Sequence, residues 1–453
     1  MRDTIIVRNG SVIDGTGAAP KATAILIEGG RIAALGAQAE ERAAGARVID
    51  ARGQTVMPGL IDAHCHLAFD DAASNAEIFH QRRNALSALV ASYNARKLLR
   101  AGVTGILDPD STFENMIDLR DAIDANIVEG PRMSCGSYAL INNLGGTAGT
   151  LIADRGVSGY YKVASGRDEV VAEVRRQIKH GADWIKVHVT GIVPRMAHLG
   201  EVCVWTEDEL KLICDTAHEL HTPVMGHCRG AEATRRAAVS GFDLIFHATA
   251  MDETALRAVI DRKVPIAPAL TFQANMVDFG PKLGTSENLI RLFEREITES
   301  VDTITEAHKA GVPILCGSES GFSLVPYGSW HYREMEVFVK YFGFTPLDAI
   351  RSATMEGGRA LKMEGRVGAI LAGYEADIIF VKGRVEQDVT ILGEPDAVTR
   401  VMIGGVEKNL APLPKRKPIG GWRLASMGKT LTRDYMATVR PNPDEPFNPE
   451  ELH

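Results

Sequence analysis

Residues 4 to about 58 alternate short apolar runs with glycine-containing turns, as in Ile5-Ile6-Val7, Ala24-Ile25-Leu26-Ile27 and Val48-Ile49-Asp50. This is the texture of short strands. It returns at Gly373–Gly383 and at Arg400-Val401-Met402-Ile403-Gly404-Gly405. The two flanks are therefore expected to pair into one small β-sandwich domain made of residues 1–58 and 365–410. Between them, apolar runs alternate with helix-length segments about eight times, the rhythm of parallel strands joined by crossover helices. The expected strands centre on Gly59–Ala63, Val103–Leu107, Arg132–Tyr138, Trp184–Val189, Pro223–His227, Leu244–His247, Val264–Pro268 and Pro313–Cys316. Eight such units fit an α/β fold of the (β/α)8 TIM-barrel kind over residues 59–364 better than an open doubly wound sheet. Helix punctuation agrees, since Thr206-Glu207-Asp208-Glu209 forms a capping box in front of the Leu210–Leu220 run.

Two long connections follow expected strand ends, Asn142–Gly166 after the third strand and Gly191–Val204 after the fourth. Barrel enzymes build their sites at those ends, so both are candidate substrate lids. From Ala411 the chain is rich in proline and carries a basic run, Lys415-Arg416-Lys417, and an acidic pair, Asp444-Glu445. Such composition favours an extended arm over residues 411–453. An arm of this kind wraps its own barrel or a neighbour, which gives the expectation of a homo-oligomer.

Composition narrows the class without changing this picture. With 453 residues, 45% hydrophobic and 24% charged, the chain is an ordinary globular one large enough for a sizeable core. A net charge of −8 and the lack of a basic stripe argue against a nucleic-acid partner, leaving small-molecule substrates. Cys65, Cys135, Cys203, Cys214, Cys228 and Cys316 form no CxxC pair and mostly sit in apolar runs, as buried free thiols in a reducing compartment do. The opening Thr4–Gly10 reads as strand and turn, without the charged and apolar regions of an export signal. No apolar stretch approaches the roughly 20 residues a membrane helix needs. A cytoplasmic location and no membrane partner are expected.

The chemistry lies at the strand ends. In a strand, residues i and i+2 share a side, so both imidazoles of His64-Cys65-His66 can face the barrel mouth and bind one ion. Two histidines at that spacing also arise by chance, and position at a strand's C-terminal end is what raises them. Lys186 sits in the otherwise apolar Trp184-Ile185-Lys186-Val187. A buried lysine must pair with a carboxylate, shift its pKa or be modified, and carboxylation by CO2 would make it a carbamate able to bridge two cations. His227 and His247 end the next two expected strands. A lone histidine there is more often a satisfied core residue, but four histidines and a lysine at successive strand ends favour a metal site.

In order and strand context, His64-Cys65-His66, Lys186, His227 and His247 resemble the metal-ligand set of the amidohydrolase superfamily. The flanks share the likeness. Val56-Met57-Pro58-Gly59-Leu60-Ile61-Asp62-Ala63-His64 is similar to the segment that leads into that family's barrel, and Gly365-Arg366-Val367-Gly368 through Ile379 to its return to the sandwich, so the likeness spans about 4–405. Gly181–Lys186 and His247–Glu253 resemble the branch of imidazolonepropionases and Xaa-Pro/Xaa-Arg dipeptidases, which also holds hydrolases of phenylureas, molinate and ochratoxin. The resemblance implies one or two divalent ions, zinc first with cobalt, manganese or iron as alternatives, and an N6-carboxylated Lys186.

Two positions depart from the family. Its eighth strand normally ends in Gly-Thr-Asp, whose aspartate binds metal and shuttles the proton, whereas this chain has Gly317-Ser318-Glu319. Glu319 keeps the acid–base chemistry on a longer arm, and is the candidate catalytic residue and sixth metal ligand. Arg229 stands where dipeptidase relatives often have a small residue then His, and can meet a substrate carboxylate or pair with a barrel acid. Tyr138, His188, Trp330 and His331 are further candidate substrate residues, with Tyr327, Trp330 and His331 offering an aromatic wall. These features imply hydrolysis by metal-bound hydroxide, with Glu319 as proton shuttle, of an amide, urea, carbamate or thiocarbamate with an apolar portion. The alternatives are an Xaa-Pro/Xaa-Arg dipeptidase or N-acyl amino acid hydrolase, then a cyclic amidine hydrolase, and outside enzymes a non-catalytic assembly protein of the same fold.

Overall fold

The computed structural model describes residues 4–72, 83–112, 114–146, 161–192 and 201–416. The chain divides into Met1–Ala411 and Pro412–His453. Only residues 412–416 of the second unit are described, without helix or strand, so most of the expected arm lies outside the described residues. The centres of the two candidate lids, 147–160 and 193–200, lie outside them too.

The protein is α/β, and its parallel strands set the site. Leu60–Asp62, Val103–Asp108 and Arg132–Cys135 pair in parallel. Ile185–His188, Val224–Arg229, Leu244–Thr249 and Ile266–Ala267 form a second parallel series. The amide of Asp183 donates to the Cys135 carbonyl at 2.9 Å, linking the two series. At the far end Ile266 bridges Ile314 in parallel, and the amide of Ala63 donates to the Cys316 carbonyl at 2.9 Å, back beside the first strand. The eighth segment is thus a bridge at Ile314 rather than the full strand Pro313–Cys316 expected. The third stops at Cys135, and Ala139–Ile141 pairs separately with Tyr161–Val163 and Ile185–His188. Ala63, Leu107, Trp184, Met225, Phe246, Ala267 and Leu315, drawn from successive strands, form one buried cluster beneath the strand ends.

Helices separate these strands. Glu207–His218 opens on the capping box expected, with Thr206 Oγ1 accepting from the Glu209 amide and the Glu209 side chain answering to the Thr206 amide. Glu287–Lys309 buries Ile297, Ser300, Ile304 and Ala307, a stripe at helical spacing that holds it against the strands.

Segments from before and after the parallel strands meet in one antiparallel-rich sheet. Gln54–Pro58 pairs with Ile378–Lys382, which pairs with Val398–Ile403, while Ser11–Val12 joins the other edge of Gln54–Pro58. A four-stranded sheet of Ile5–Arg8, Ile25–Glu28, Arg31–Leu35 and Arg47–Asp50 accompanies it. Ile5, Val7, Ile25, Ile27, Val56, Ile378 and Phe380 share a second apolar core. No helix among the described residues is long and apolar enough to cross a membrane.

Candidate functional site

His64 and His66 lie just past the end of Leu60–Asp62, where three contacts pin the chain. Asp62 Oδ1 accepts from the amides of His64 and Ser318 at 3.1 and 2.9 Å, and Asp108 Oδ2 from the amide of Leu67 at 2.9 Å. Gly317 lets the last segment come this close, since a Cβ there would stand 2.8 Å from His64 Cβ. The two rings turn to the same side, as the strand period requires, with Nε2 facing Nε2 at 3.1 Å. A second pair forms on neighbouring strands, where His247 Nε2 lies 3.0 Å from His227 Nδ1. The pairs adjoin through His64 and His247, whose ring centres are 5.6 Å apart.

The outer nitrogens of the rings differ. His64 Nδ1 and His247 Nδ1 are buried with no hydrogen-bond partner. Burial pushes the pKa of His64 and His247 well below the imidazole range and that of His227 to about 4, so these rings are neutral. Lys186 is only 1% exposed. Its Nζ stands 4.3 Å from the centre of the Phe246 ring and 3.9 Å from Asp110 Oδ2, and burial lowers its pKa. Glu319 closes the set. Its backbone is in the left-handed region at φ 55, and its Oε2 is buried without a hydrogen-bond partner. Burial raises its pKa.

Among the described residues, no three His, Cys, Asp or Glu side chains hold one ion on their own. The donors instead come as two imidazole pairs, a lysine and a glutamate. Facing nitrogens 3.1 and 3.0 Å apart suit a shared cation, since each can lie about 2.1 Å from one ion. The neutral rings of His64, His227 and His247 and the partnerless buried atoms make the set chemically suited to a divalent ion.

The remaining candidates are placed as follows. His188 Nε2 is 2.8 Å from Asp110 Oδ2, on the same side of its strand as Lys186. Arg229 is paired with Glu296 and lies over the Phe293 ring at 5.4 Å, with Glu201 Oε1 4.0 Å away. His331 Nδ1 is 2.7 Å from Asp62 Oδ2, so it braces the strand end that carries His64. Tyr327 hydroxyl donates to the His66 carbonyl. Trp330 faces outward to Phe279 at 5.4 Å, and Tyr138 lies under the Arg176 guanidinium at 5.7 Å. A different set of aromatic rings borders the histidines. Phe69 stacks on His66 at 4.2 Å, followed by Phe322 at 5.4 Å, Phe272 at a further 5.2 Å and Phe293 at a further 6.0 Å, where Arg229 begins.

Sequence reasoning missed Asp110, Glu201, Glu296 and Asp62. Asp110 had a signal: it lies two residues past the end of Val103–Asp108, at a strand end like those that carry the histidines. Glu201 falls inside the second candidate lid, where nothing in the sequence distinguishes it.

The amidohydrolase family model matches residues 55–408. The ochratoxinase of Aspergillus niger is 26% identical over 444 residues, covering 92% of this chain and 88% of that one. The crystal structure of a Xaa-Pro dipeptidase with bound methionine superposes with a TM-score of 0.76 at 28% identity, covering 89% of this chain and 99% of that one. Molinate hydrolase, at 21% identity and a TM-score of 0.73 over 95% of this chain and 99% of its own, shares the fold. With the family match spanning most of the sequence, the chain belongs to the amidohydrolase family and is a hydrolase acting on carbon–nitrogen bonds.

Proposed function

We propose that the chain is a metal-dependent hydrolase that cleaves the amide, urea or carbamate bond of a small, partly apolar substrate at the mouth of a (β/α)8 barrel, with a β-sandwich built from both chain ends. The observation that carries this reading is the two pairs of facing imidazoles, His64 with His66 and His227 with His247, beside buried Lys186 and the buried Oε2 of Glu319. The barrel reading is supported by backbone bonds that lead from the first parallel strand through seven further segments back to Ala63. The sandwich reading is supported by the pairing of Gln54–Pro58 with Ile378–Lys382.

His64, His66, Lys186, His227, His247 and Glu319 would hold one or two divalent ions, zinc first. Such an ion would supply Lewis acidity to the scissile carbonyl and to a water. Glu319 Oε2 accepts the proton of the attacking water and returns it to the leaving nitrogen as the carbon–nitrogen bond breaks. The lowered pKa of Lys186 favours a neutral amine, which adds CO2 at Nζ and releases a proton to give the N6-carboxylated form. The run of rings from Phe69 to Phe293 receives the apolar portion of the substrate. The family is generally metal-dependent, which supports the same reading. Six unpaired cysteines support a reducing, cytoplasmic setting.

A dipeptidase is the second reading, favoured by the 28% identical Xaa-Pro dipeptidase. Arg229 weighs against it, because the guanidinium that would meet a free carboxylate is already held by Glu296. A turnover screen of zinc-reconstituted protein against phenylureas, thiocarbamates, N-acyl amino acids and dipeptides tests both. Turnover of neutral ureas or carbamates is expected, and turnover confined to dipeptides replaces the first reading with the second. Turnover of nothing, together with the absence of stoichiometric metal, favours the assembly protein.

A further inference from the structure

Two carboxylates, buried Asp110 and partly buried Glu201, stand behind the facing imidazoles, one on each pair, and they contact opposite ring nitrogens. His66 Nδ1 lies 3.1 Å from Asp110 Oδ1 and 3.4 Å from the Asp110 backbone carbonyl. Both are acceptors, so the ring hydrogen belongs on Nδ1 and the Nε2 lone pair faces His64. On the other pair, His227 Nε2 lies 2.8 Å from Glu201 Oε2, so the hydrogen belongs on Nε2 and the Nδ1 lone pair faces His247. We propose that Asp110 and Glu201 are positioning residues that fix which ring nitrogen each histidine offers to a cation, Nε2 of His66 and Nδ1 of His227. The cation itself rests on the function proposed above; the tautomers do not.

The surroundings prepare each carboxylate for this part. Asp110 is 1% exposed and divides its two oxygens, Oδ1 towards His66 and Oδ2 towards His188 Nε2 at 2.8 Å. Oδ2 takes the hydrogen bond of His188, while Oδ1 makes no hydrogen bond and faces His66 Nδ1 as a charge contact, which an asparagine cannot supply because it carries no charge. Glu201 receives the Thr190 hydroxyl at 2.7 Å on the same Oε2 that meets His227. It stands just before Val202–Cys203, the strand that pairs back onto Thr190–Ile192. The loop that follows Ile185–His188 thereby grips a histidine of the next strand. A carboxylate or carbonyl on the far nitrogen of a ligating histidine sets its orientation and basicity, and losing it commonly weakens metal affinity about 10–100-fold.

The test uses the full chain in two measurements. Nitrogen-15 imidazole spectra of the metal-free protein at about pH 9, above the imidazole range, are expected to show His66 protonated on Nδ1 and His227 on Nε2. The opposite tautomer at either ring overturns the assignment for that residue, whether or not the protein binds metal or turns over any substrate. Zinc competition against a chelating dye is then expected to show about 10–100-fold weaker binding for Asp110→Asn and Glu201→Met, with recovery in Glu201→Asp. Asp243→Asn is the control. It removes the charge from a carboxylate–histidine pair of the same 2.8 Å length, with His218, outside the candidate site, and is expected to leave zinc affinity unchanged. Wild-type zinc affinity in both Asp110→Asn and Glu201→Met overturns the proposal.

Discussion

The amide of Glu319 donates to the carbonyl of His64 at 2.7 Å, so the carboxylate at the end of the last parallel segment is tied through backbone to the first histidine of the first. Its position does not depend on its side chain. Exchanging the side chain therefore tests chemistry with little change in architecture. Glu319→Gln is expected to lower turnover about 10²–10⁴-fold while keeping bound metal near the wild-type amount, read by steady-state kinetics and elemental analysis. Near-normal turnover removes Glu319 from proton transfer.

Lys186 carries a separate expectation. Its Nζ is enclosed by Phe246 and Asp110, and no water-exposed amine has to be invoked. Lys186→Ala is expected to lose most of its metal, with short-chain carboxylic acids restoring part of it by standing in for the carbamate. Wild-type protein exchanged into carbon-13 bicarbonate should show one carbamate signal that the variant lacks. Full metal content in Lys186→Ala without added acid contradicts the modification.

The Arg229–Glu296 pair is expected to matter for stability. Both side chains are largely buried, at 10% and 14% exposure, so removing one leaves the other charge without compensation. Arg229→Met should cost about 3–5 kcal/mol in urea unfolding, and adding Glu296→Met should recover much of that. If the two losses simply add, the pair is not the unit described.

Glu334 gives a pH-dependent expectation away from the histidines. It is buried and accepts from the amides of Leu270 and Thr271 and from the Thr271 hydroxyl, and burial raises its pKa from the usual 4.5 to about 8. A carboxyl whose folded pKa lies above its unfolded one keeps its proton longer in the native state. Between about pH 4.5 and 8 the folded chain binds more protons, so stability falls as pH rises. The contribution is on the order of 4 kcal/mol across that window. Urea unfolding of Glu334→Gln over the same range should show a flatter dependence than wild type, and an unchanged slope would assign the effect elsewhere.

The histidines and Lys186 were legible because each sits at the end of a short apolar run, and the period of two fixes the side on which His64 and His66 fall. Asp110 and Glu201 were harder, because their roles come from contacts across 44 and 26 residues of sequence that no local pattern encodes. The aromatic rings show the same limit. Tyr327, Trp330 and His331 are neighbours in sequence, but the chain sends the first beneath the His66 turn, the second outward to Phe279 and the third to Asp62. Phe69, Phe272, Phe293 and Phe322 lie far apart in sequence and assemble only through the fold. The eighth strand was expected from its apolar run, yet its backbone makes a single strand-type bridge before turning into the segment that carries Glu319.

The sheet that joins the segments on either side of the parallel strands also sets an order of events. Pro58 pairs with Ile378 and Gln54 with Lys382, so the strand leading to His64, which Ser11–Val12 joins on one edge, lacks its other neighbour until most of the polypeptide has left the ribosome. Contacts of such long sequence separation form slowly and leave strand edges open meanwhile. A nascent chain halted before residue 378 leaves one edge of Gln54–Pro58 open, next to the segment that carries the first histidines.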